Sequence, residues 1–334
     1  MLEDTPVVDV HHHFLPRAVF DDLKAQAGGA NRLVNDKLSI TLSEDLHSVD
    51  AHLKAMDEGG VDSAILTYSG VSVLGMNTCR QLNDGFAAIQ QANKPRLYGA
   101  AHVPLTDPEH APAELERAVR DLGLVAAGLP TSDGSAVLDD PALGPLWRKV
   151  SELNLPVILH PALLPQGAST DYAMERSCAR PFDTTMAAVR LINAVLPEFP
   201  DLRFVLPHLG GTSVFLRGRI SMFFSPPNYD SPTKALAKTQ REQRALGFDR
   251  VFEEQWSKFY FDTAGTGAWS PAVKYTAEVV TPARMLFGSD YPLESHSGDT
   301  VRELVDMIGD LPLPRDARQA IAGHNARKLF RLQP

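Results

Sequence analysis

Three consecutive histidines near the start of the chain are the first residues that could do chemistry. They follow an apolar run, residues 7–10, whose composition predicts a buried β-strand. Successive side chains of a strand point to opposite faces, so His11 and His13 share one face and His12 lies on the other. Two imidazoles on one face at a strand end make half of a divalent metal site. A purification tag is the alternative origin, but a tag would not follow an apolar strand so closely.

Other polar residues with the same chemistry also follow apolar runs. His160, His208 and Asp290 each come directly after a segment that has the composition of a strand. A single histidine in such a position is usually structural, but four histidines and an aspartate at strand ends are hard to attribute to chance. Imidazole and carboxylate are the ligands of catalytic Zn²⁺ and related metals. These strand ends therefore predict a metal site.

Strand-like and helical segments alternate through the sequence. This strict alternation predicts an α/β fold with a parallel sheet and right-handed crossovers. Eight units match a closed (β/α)8 TIM barrel, with an open doubly wound sheet as the alternative, and a barrel carries its active site at the carboxyl ends of its strands. The predicted strands after the first lie at Ala64–Tyr68, Leu97–Val103, Val125–Leu129, Pro156–His160, Arg203–His208, Phe259–Thr263 and Met285–Ser289.

One stretch departs from this alternation. Residues from about 17 to 45 show no clean period, and we expect them to form a small insertion after strand 1 that covers the active-site face. Ser48 is the predicted N-cap of the next helix, which Gly59 and Gly60 end. Two helical stretches, at about 299–309 and 315–331, close the chain. No linker-like segment interrupts the sequence, so residues 1–334 are expected to form a single barrel domain.

Composition and charge exclude several classes of function. The 334 residues include 32 basic and 41 acidic side chains, a formal net charge of −9 without a basic block. This balance argues against nucleic acid or an anionic membrane as the main partner. No apolar run approaches membrane-spanning length. Cys79 and Cys178 lie far apart and no signal peptide is visible, so we expect a cytoplasmic protein.

Short motifs spread over nearly the whole chain resemble those of a known family. They are Asp9–Pro16, Met56–Asp62, His160-Pro161, Phe199–Leu202, His208–Gly211, Gly218–Ile220, Gly288–Pro292 and Gly323–Ala326. Together they resemble the amidohydrolase superfamily, specifically its aminocarboxymuconate-semialdehyde decarboxylase-like branch. Each motif alone is loose, but the combination is specific to this branch.

The resemblance implies one divalent metal ion, most often Zn²⁺ and in some members Mn²⁺. The absence of a lysine at the end of strand four, residues 127–130, supports one metal ion over two. His208 is the implied acid/base or water-activating residue, which does not bind the metal. Arg219 is the implied anchor of the substrate carboxylate and reaches into a neighbouring subunit's site, so a homodimer or higher homo-oligomer is expected. The implied metal ligands are His11, His13, His160 and Asp290.

Two departures from the nearest relatives bear on the substrate. The aminocarboxymuconate enzymes bind a second carboxylate with an arginine upstream of the Met56 motif, but segment 37–42 has only Lys37 as a basic residue. Leu293 stands where those relatives tend to place an aromatic residue. Both departures favour a small hydroxylated or methylated benzoate over a dicarboxylate.

The expected reaction is the non-oxidative decarboxylation of a small aromatic or unsaturated carboxylic acid by a carbon–carbon lyase. Loss of CO₂ from an sp² carbon leaves carbanion character, so the carbon must be protonated as, or before, the bond breaks. The metal would polarise a substrate oxygen, and Asp290 or His208 would handle the proton. The alternatives are a hydrolase or hydratase of the lactonase or amidohydrolase type, which uses metal-activated water at the same site, and a metal-binding protein without catalysis.

Overall fold

Eight parallel strands form the centre of the molecule in the part of the chain that the computed structural model describes, namely residue 2 and residues 4–35, 38–165 and 167–332. The strands follow one another around the sheet in chain order, and each is hydrogen-bonded to the next. They are β1 (Val8–His13), β2 (Ser63–Thr67), β3 (Leu97–His102), β4 (Ala126–Pro130), β5 (Pro156–His160), β6 (Arg203–Leu206), β7 (Phe259–Asp262) and β8 (Met285–Leu286).

The sheet closes on itself because the segment that follows β8 runs beside β1. The backbone N–H of Val10 donates to the carbonyl of Phe287 at 3.0 Å, and that of His13 donates to the carbonyl of Tyr291 at 2.8 Å. These bonds join the last strand to the first. The predicted (β/α)8 barrel is confirmed, and the open doubly wound sheet is excluded.

Helices connect the strands and cover the outside of the barrel. Each buries one face: in α4, Ala111, Leu115 and Ala118 are buried at intervals of four and three residues. No helix among the described residues is both long and apolar enough to cross a membrane. The helices are α1 (Arg17–Gln26), α2 (Val49–Gly59), α3 (Met76–Asn93), α4 (Ala111–Arg120), α5 (Gly144–Glu152), α6 (Arg180–Arg190), α7 (Ser213–Phe223), α8 (Gln240–Leu246), α9 (Phe248–Trp256), α10 (Ser270–Val280), α11 (Gly298–Gly309), α12 (Arg315–Gln319) and α13 (Asn325–Phe330).

The stretch after β1 contains more regular structure than its sequence pattern predicts. Helix α1 buries Val19, Phe20 and Leu23, a stripe too short to show a clean period. A two-stranded hairpin of Arg32–Val34 with Ser39–Thr41 follows, and its second strand lies beside the strand ends that carry the predicted metal ligands. The expected insertion after strand 1 is therefore present on the active-site face, although its sequence shows no clean period. Lys37 lies outside the described residues.

Helix α2 begins and ends where the sequence predicts. The hydroxyl of Ser48 accepts a hydrogen bond from the backbone N–H of Ala51 at 3.2 Å and so caps the helix. Gly60 follows the last helical residue with a φ of 74°, a left-handed conformation that glycine adopts without a steric penalty.

Strand β1 contains a bulge immediately before the histidine pair. Its register against β2 shifts between Asp9 and His12, where β1 has one residue more than β2. Val10 belongs to the apolar cluster inside the barrel, and His11 also faces inward. A bulge redirects side chains in this way next to many active sites. Because of the bulge, two consecutive residues both point into the barrel: Val10 contributes to its apolar floor, and His11 is the first predicted metal ligand.

Candidate active site

The barrel brings all five of the predicted strand-end residues together at one end. The candidate ligand atoms of His11, His13 and Asp290 lie within 4.8 Å of one another, as do those of His11, His160 and His208. All of these side chains are buried except that of His208, which is 16% exposed. Strand ends that are distant in sequence therefore form one compact cluster.

The three predicted histidine ligands turn the same ring nitrogen toward a common centre. Each Nδ1 lies beside an oxygen that accepts, so Nδ1 carries a hydrogen, and in the neutral ring Nε2 keeps its lone pair. This is the tautomer that coordinates a metal through Nε2. The Nδ1 atoms of His11, His13 and His160 lie 2.9, 3.2 and 2.8 Å from Asp262 Oδ2, the Thr67 carbonyl and the Pro161 carbonyl.

The unshared electron pairs of these groups face one another. His11 Nε2 lies 3.1 Å from His13 Nε2, and the latter lies 3.1 Å from Asp290 Oδ1. Asp290 Oδ1 is buried and accepts no hydrogen bond from the described residues. Lone pairs held this close repel one another unless a cation lies between them. The residues therefore fit one divalent metal ion, because imidazole and carboxylate groups are the donors that such an ion binds.

The charges of the cluster are set by burial and by mutual contacts. Burial lowers the pKa of His13, and burial together with the neighbouring histidines holds the pKa of His160 well below its ordinary value, which keeps both rings neutral. For Asp290, burial raises the pKa, but contacts with His13 and His208 outweigh it and hold that pKa well below the usual range. A carboxylate among neutral imidazoles is the state that binds a divalent cation.

Asp262, at the end of β7, orients the site and was not predicted. Its Oδ2 accepts from His11 Nδ1 at 2.9 Å, and its Oδ1 accepts from the backbone N–H groups of His208 at 2.9 Å and Ala264 at 3.2 Å. Burial lowers the pKa of His11, but Asp262 outweighs it and raises that pKa to about 9, so the site favours positive charge here. The signal was available, because Asp262 ends an apolar strand as the predicted residues do.

His208 links the ligand cluster to the space above it. Its Nε2 lies 3.2 Å from Asp290 Oδ2, and its ring stacks on that of His11 with centroids 5.0 Å apart. The backbone at His208 is left-handed, with a φ of 53°. Gly265 lies against the ring, where a Cβ atom would come within 2.9 Å of His208 Cδ2. This crowding holds the imidazole between the carboxylate and the pocket.

The third histidine of the triplet, His12, faces away from the metal ligands, as strand alternation predicts. Its Nδ1 lies 2.8 Å from Asp9 Oδ2, and its Nε2 lies 2.7 Å from His52 Nδ1. Asp9 Oδ1 also accepts from the backbone N–H groups of His11 and Ser289, both at 3.0 Å. This buried carboxylate therefore ties β1 to the segment after β8.

A narrow pocket opens above the cluster. Its wall includes Tyr68, Arg176 and Arg180, none of which was predicted. Arg219 does not reach this pocket within one chain: it is exposed on α7, with its guanidinium 5.5 Å from the ring centre of Phe223. The lining residues are Ser39, Ile40, Thr41, Tyr68, His160, Leu163, Arg176, Arg180, His208, Asp290, Leu293 and Glu294.

The closed barrel and its histidine–aspartate cluster are typical of metal-dependent enzymes of the (β/α)8 class. A family model described as amidohydrolase matches residues 8–332. The chain belongs to the amidohydrolase family.

Named relatives narrow the class. The chain is 28% identical to gamma-resorcylate decarboxylase of Polaromonas sp. over 85% of this chain and 87% of that protein. It is 26% identical to 6-methylsalicylic acid decarboxylase of Penicillium expansum over 97% and 95% of the two chains. These similarities confirm the predicted decarboxylase branch of the superfamily, and they do not favour the hydrolase alternative.

Solved structures agree with the fold. The crystal structure of 5-carboxyvanillate decarboxylase from Sphingomonas paucimobilis superposes with a TM-score of 0.78 and 24% identity, over 99% of this chain and 100% of that one. The dihydroxybenzoic acid decarboxylase of Polaromonas sp., with manganese and 2-nitroresorcinol bound, gives 0.73 and 24% over 98% and 97%.

Replacing Asp262 by asparagine should weaken metal binding. The amide oxygen would stay with the backbone N–H groups of His208 and Ala264 and turn the NH₂ group toward His11 Nδ1, which places the hydrogen of His11 on Nε2. We expect a roughly 10- to 100-fold loss of metal affinity, measured by competition with a chelator. Asp107→Asn is the matched control, because Asp107 accepts from His110 at 2.8 Å on the surface. Equal affinities in both variants would contradict the role of Asp262.

Proposed function

We propose that the protein is a metal-dependent, non-oxidative decarboxylase of small hydroxy- or methyl-substituted benzoates. The observation that carries the proposal is the division of Asp290 between two tasks. Its Oδ1 faces the histidine ligands without a hydrogen-bond donor, and its Oδ2 faces the pocket histidine His208 at 3.2 Å. The named relatives act on aromatic acids of this size, which supports the same substrate class here.

A single divalent metal ion completes the proposed site. When bound, it polarises a substrate oxygen and takes up negative charge that develops as the C–C bond breaks. Three imidazoles and one carboxylate suit Zn²⁺, which is our first choice, and Mn²⁺ is the alternative because a related decarboxylase holds it. The proposed ligands are His11, His13, His160 and Asp290.

The residues of the chain manage the proton. As the bond to the carboxylate breaks, its electron pair stays on the ring carbon, and this carbon takes up one proton while CO₂ leaves. His208 Nε2 and Asp290 Oδ2, 3.2 Å apart, can share that proton and present it from the pocket floor. Leu163 and Leu293 line the same pocket and limit the access of water to the reacting carbon.

We further propose a homodimer that covers an apolar stripe on α7. Phe215, Arg219, Met222 and Phe223 recur at helical spacing on one face, and all four are exposed. On the neighbouring α6, Phe182 is 55% exposed. Contiguous exposed apolar side chains of this kind are typical of an interface, and a second copy placed here would receive Arg219.

The decarboxylation itself is tested with a panel of acids. We expect release of CO₂ from 2,6-dihydroxybenzoate, 6-methylsalicylate or a close analogue, since the pocket is small and has charged arginines at its wall. In D₂O, the product should carry one deuterium at the carbon that lost the carboxylate. A lactone serves as the control substrate. Turnover of the lactone, with no CO₂ from any acid, would assign the site to a hydrolase.

Removing the imidazole of His208 should separate catalysis from metal binding. We expect His208→Ala to retain its metal content and to lose roughly 100-fold or more of its decarboxylation rate, because the proton donor beside Asp290 is absent. His296→Ala is the control, since His296 lies after β8 and contacts only the carbonyl of Pro292 with its ring, at 3.1 Å, among the described residues. An active His208→Ala enzyme would rule out the proposed role.

The dimer and Arg219 are tested together by mixing inactive variants. Arg219→Met and His208→Ala should each be inactive alone, but a refolded mixture should recover activity in about a quarter of its sites if Arg219 acts across the interface. Phe215→Glu should give monomers in light scattering, whereas Leu236→Glu, at another exposed leucine, should not. A mixture that stays inactive while the dimer persists would exclude action of Arg219 in the partner's site.

A further inference from the structure

Arg180 brings a positive charge to the metal pocket from within the same chain. It is the first residue of α6, directly after the π-helical turn Glu175–Ala179, and it is half-buried. Its Nε and Nη2 donate to the carbonyl of Leu163 at 3.3 and 2.7 Å. No carboxylate of the described residues forms an ion pair with its guanidinium, although Asp290 and Glu175 attract it at longer range. A half-buried cation with no carboxylate in direct contact indicates a place for an anionic ligand.

The hydroxyl of Tyr68 lies in the same pocket wall. Tyr68 is 1% exposed, and its hydroxyl oxygen has no hydrogen-bond partner among the described residues. The ring is fixed on one side by His13, with centroids 4.9 Å apart, and its backbone N–H donates to His102 Nε2 at 3.1 Å. A buried hydroxyl without a partner is unfavourable, and a ligand oxygen in the pocket would satisfy it.

The two groups offer different hydrogen-bond donors. The Tyr68 phenol is a neutral O–H donor, and the Arg180 guanidinium is a charged donor because arginine is not deprotonated in proteins. A neutral O–H donor and charged N–H donors in one pocket wall match the oxygens of a carboxylate.

A buried carboxylate fixes the distance between Arg180 and the metal ligands. Asp183, three residues along α6, accepts from the backbone N–H of Ala162 at 3.0 Å and from the hydroxyl of Thr131. Ala162 follows the ligand His160 by two residues. The start of α6 is therefore anchored to the loop that leaves β5, and Arg180 is held in place relative to the metal site.

We propose that Arg180, assisted by the Tyr68 hydroxyl, binds the carboxylate of a monocyclic arenecarboxylate substrate within each single chain. This inference rests on the proposed function for the identity of the ligand. The proposed anchor Arg180 differs in position from Arg219, which is exposed on α7 and does not line its own chain's pocket.

Ligand binding tests the anchor without relying on turnover. Calorimetry of the full-length protein should show binding of benzoate, weaker by roughly 10- to 100-fold in Arg180→Met and by a smaller factor in Arg180→Lys, which keeps the charge but not the fork of donors. Phenol, which has no carboxylate, should bind the unchanged protein and Arg180→Met equally. Arg190→Met is the matched control on α6, since Arg190 pairs with Asp139 at 2.9 Å away from the pocket.

A second variant guards against misfolding. Tyr68→Phe removes only a hydroxyl that has no partner among the described residues, so its melting temperature should not fall, whereas its benzoate affinity should drop by about 3- to 10-fold. A purely structural role for Tyr68 would leave this affinity unchanged. For an acid that is turned over, Arg180→Met should raise KM more than it lowers kcat.

The outcomes separate this anchor from the proposed function. Arg180-dependent binding of benzoate by a protein that decarboxylates no acid would refute the function and support the anchor. Decarboxylation together with unchanged benzoate affinity in Arg180→Met would refute the anchor and leave the function intact. A wild-type protein that does not bind benzoate would also refute the anchor.

Discussion

The site depends first on the Asp9 carboxylate, which holds the beginning of the barrel against its end. It accepts N–H groups from His11 on β1 and from Ser289 after β8, and it contacts the ring of His12. The proposed ligands His11, His13 and Asp290 come from these two segments, so a slip between them would separate the candidate ligands. Each contact is buried, and leaving one N–H unpaired costs about 1–3 kcal/mol. The contacts that close the barrel therefore also assemble the proposed metal site.

Charge is divided along the axis of the site. At the floor, Asp262 and Asp290 favour positive charge, which suits a metal cation. At the wall, Arg180 forms no ion pair among the described residues and favours negative charge. A planar acid with neighbouring oxygens can contact the proposed metal at the floor and Arg180 at the wall at the same time. His208 lies between the two regions and contacts Asp290, so a proton can pass between these two side chains.

The sequence predicted the site residues whose positions follow from the direction of the parallel strands. It did not predict those whose positions depend on tertiary packing. His160 and Asp290 could be found because parallel strands of a barrel end on one face. Asp262 obeys the same rule, but the predicted strand Phe259–Thr263 places it inside the strand, whereas the structure ends the strand at Asp262. Arg180 could not be found, since its place depends on a π-helical turn and on a hydrogen bond to Leu163 that no periodic pattern encodes. The bulge in β1 could not be predicted either, because His11 and His13 share one face of the strand with or without it.

The close contact between Gly265 and His208 gives related chains a readable marker. Position 265 has a φ of 66°, and its missing Cβ atom leaves room for the ring. A larger residue there would press on the imidazole and displace it from Asp290. In a homologous chain, we therefore expect loss of this glycine to accompany a change in the proton chemistry of the site.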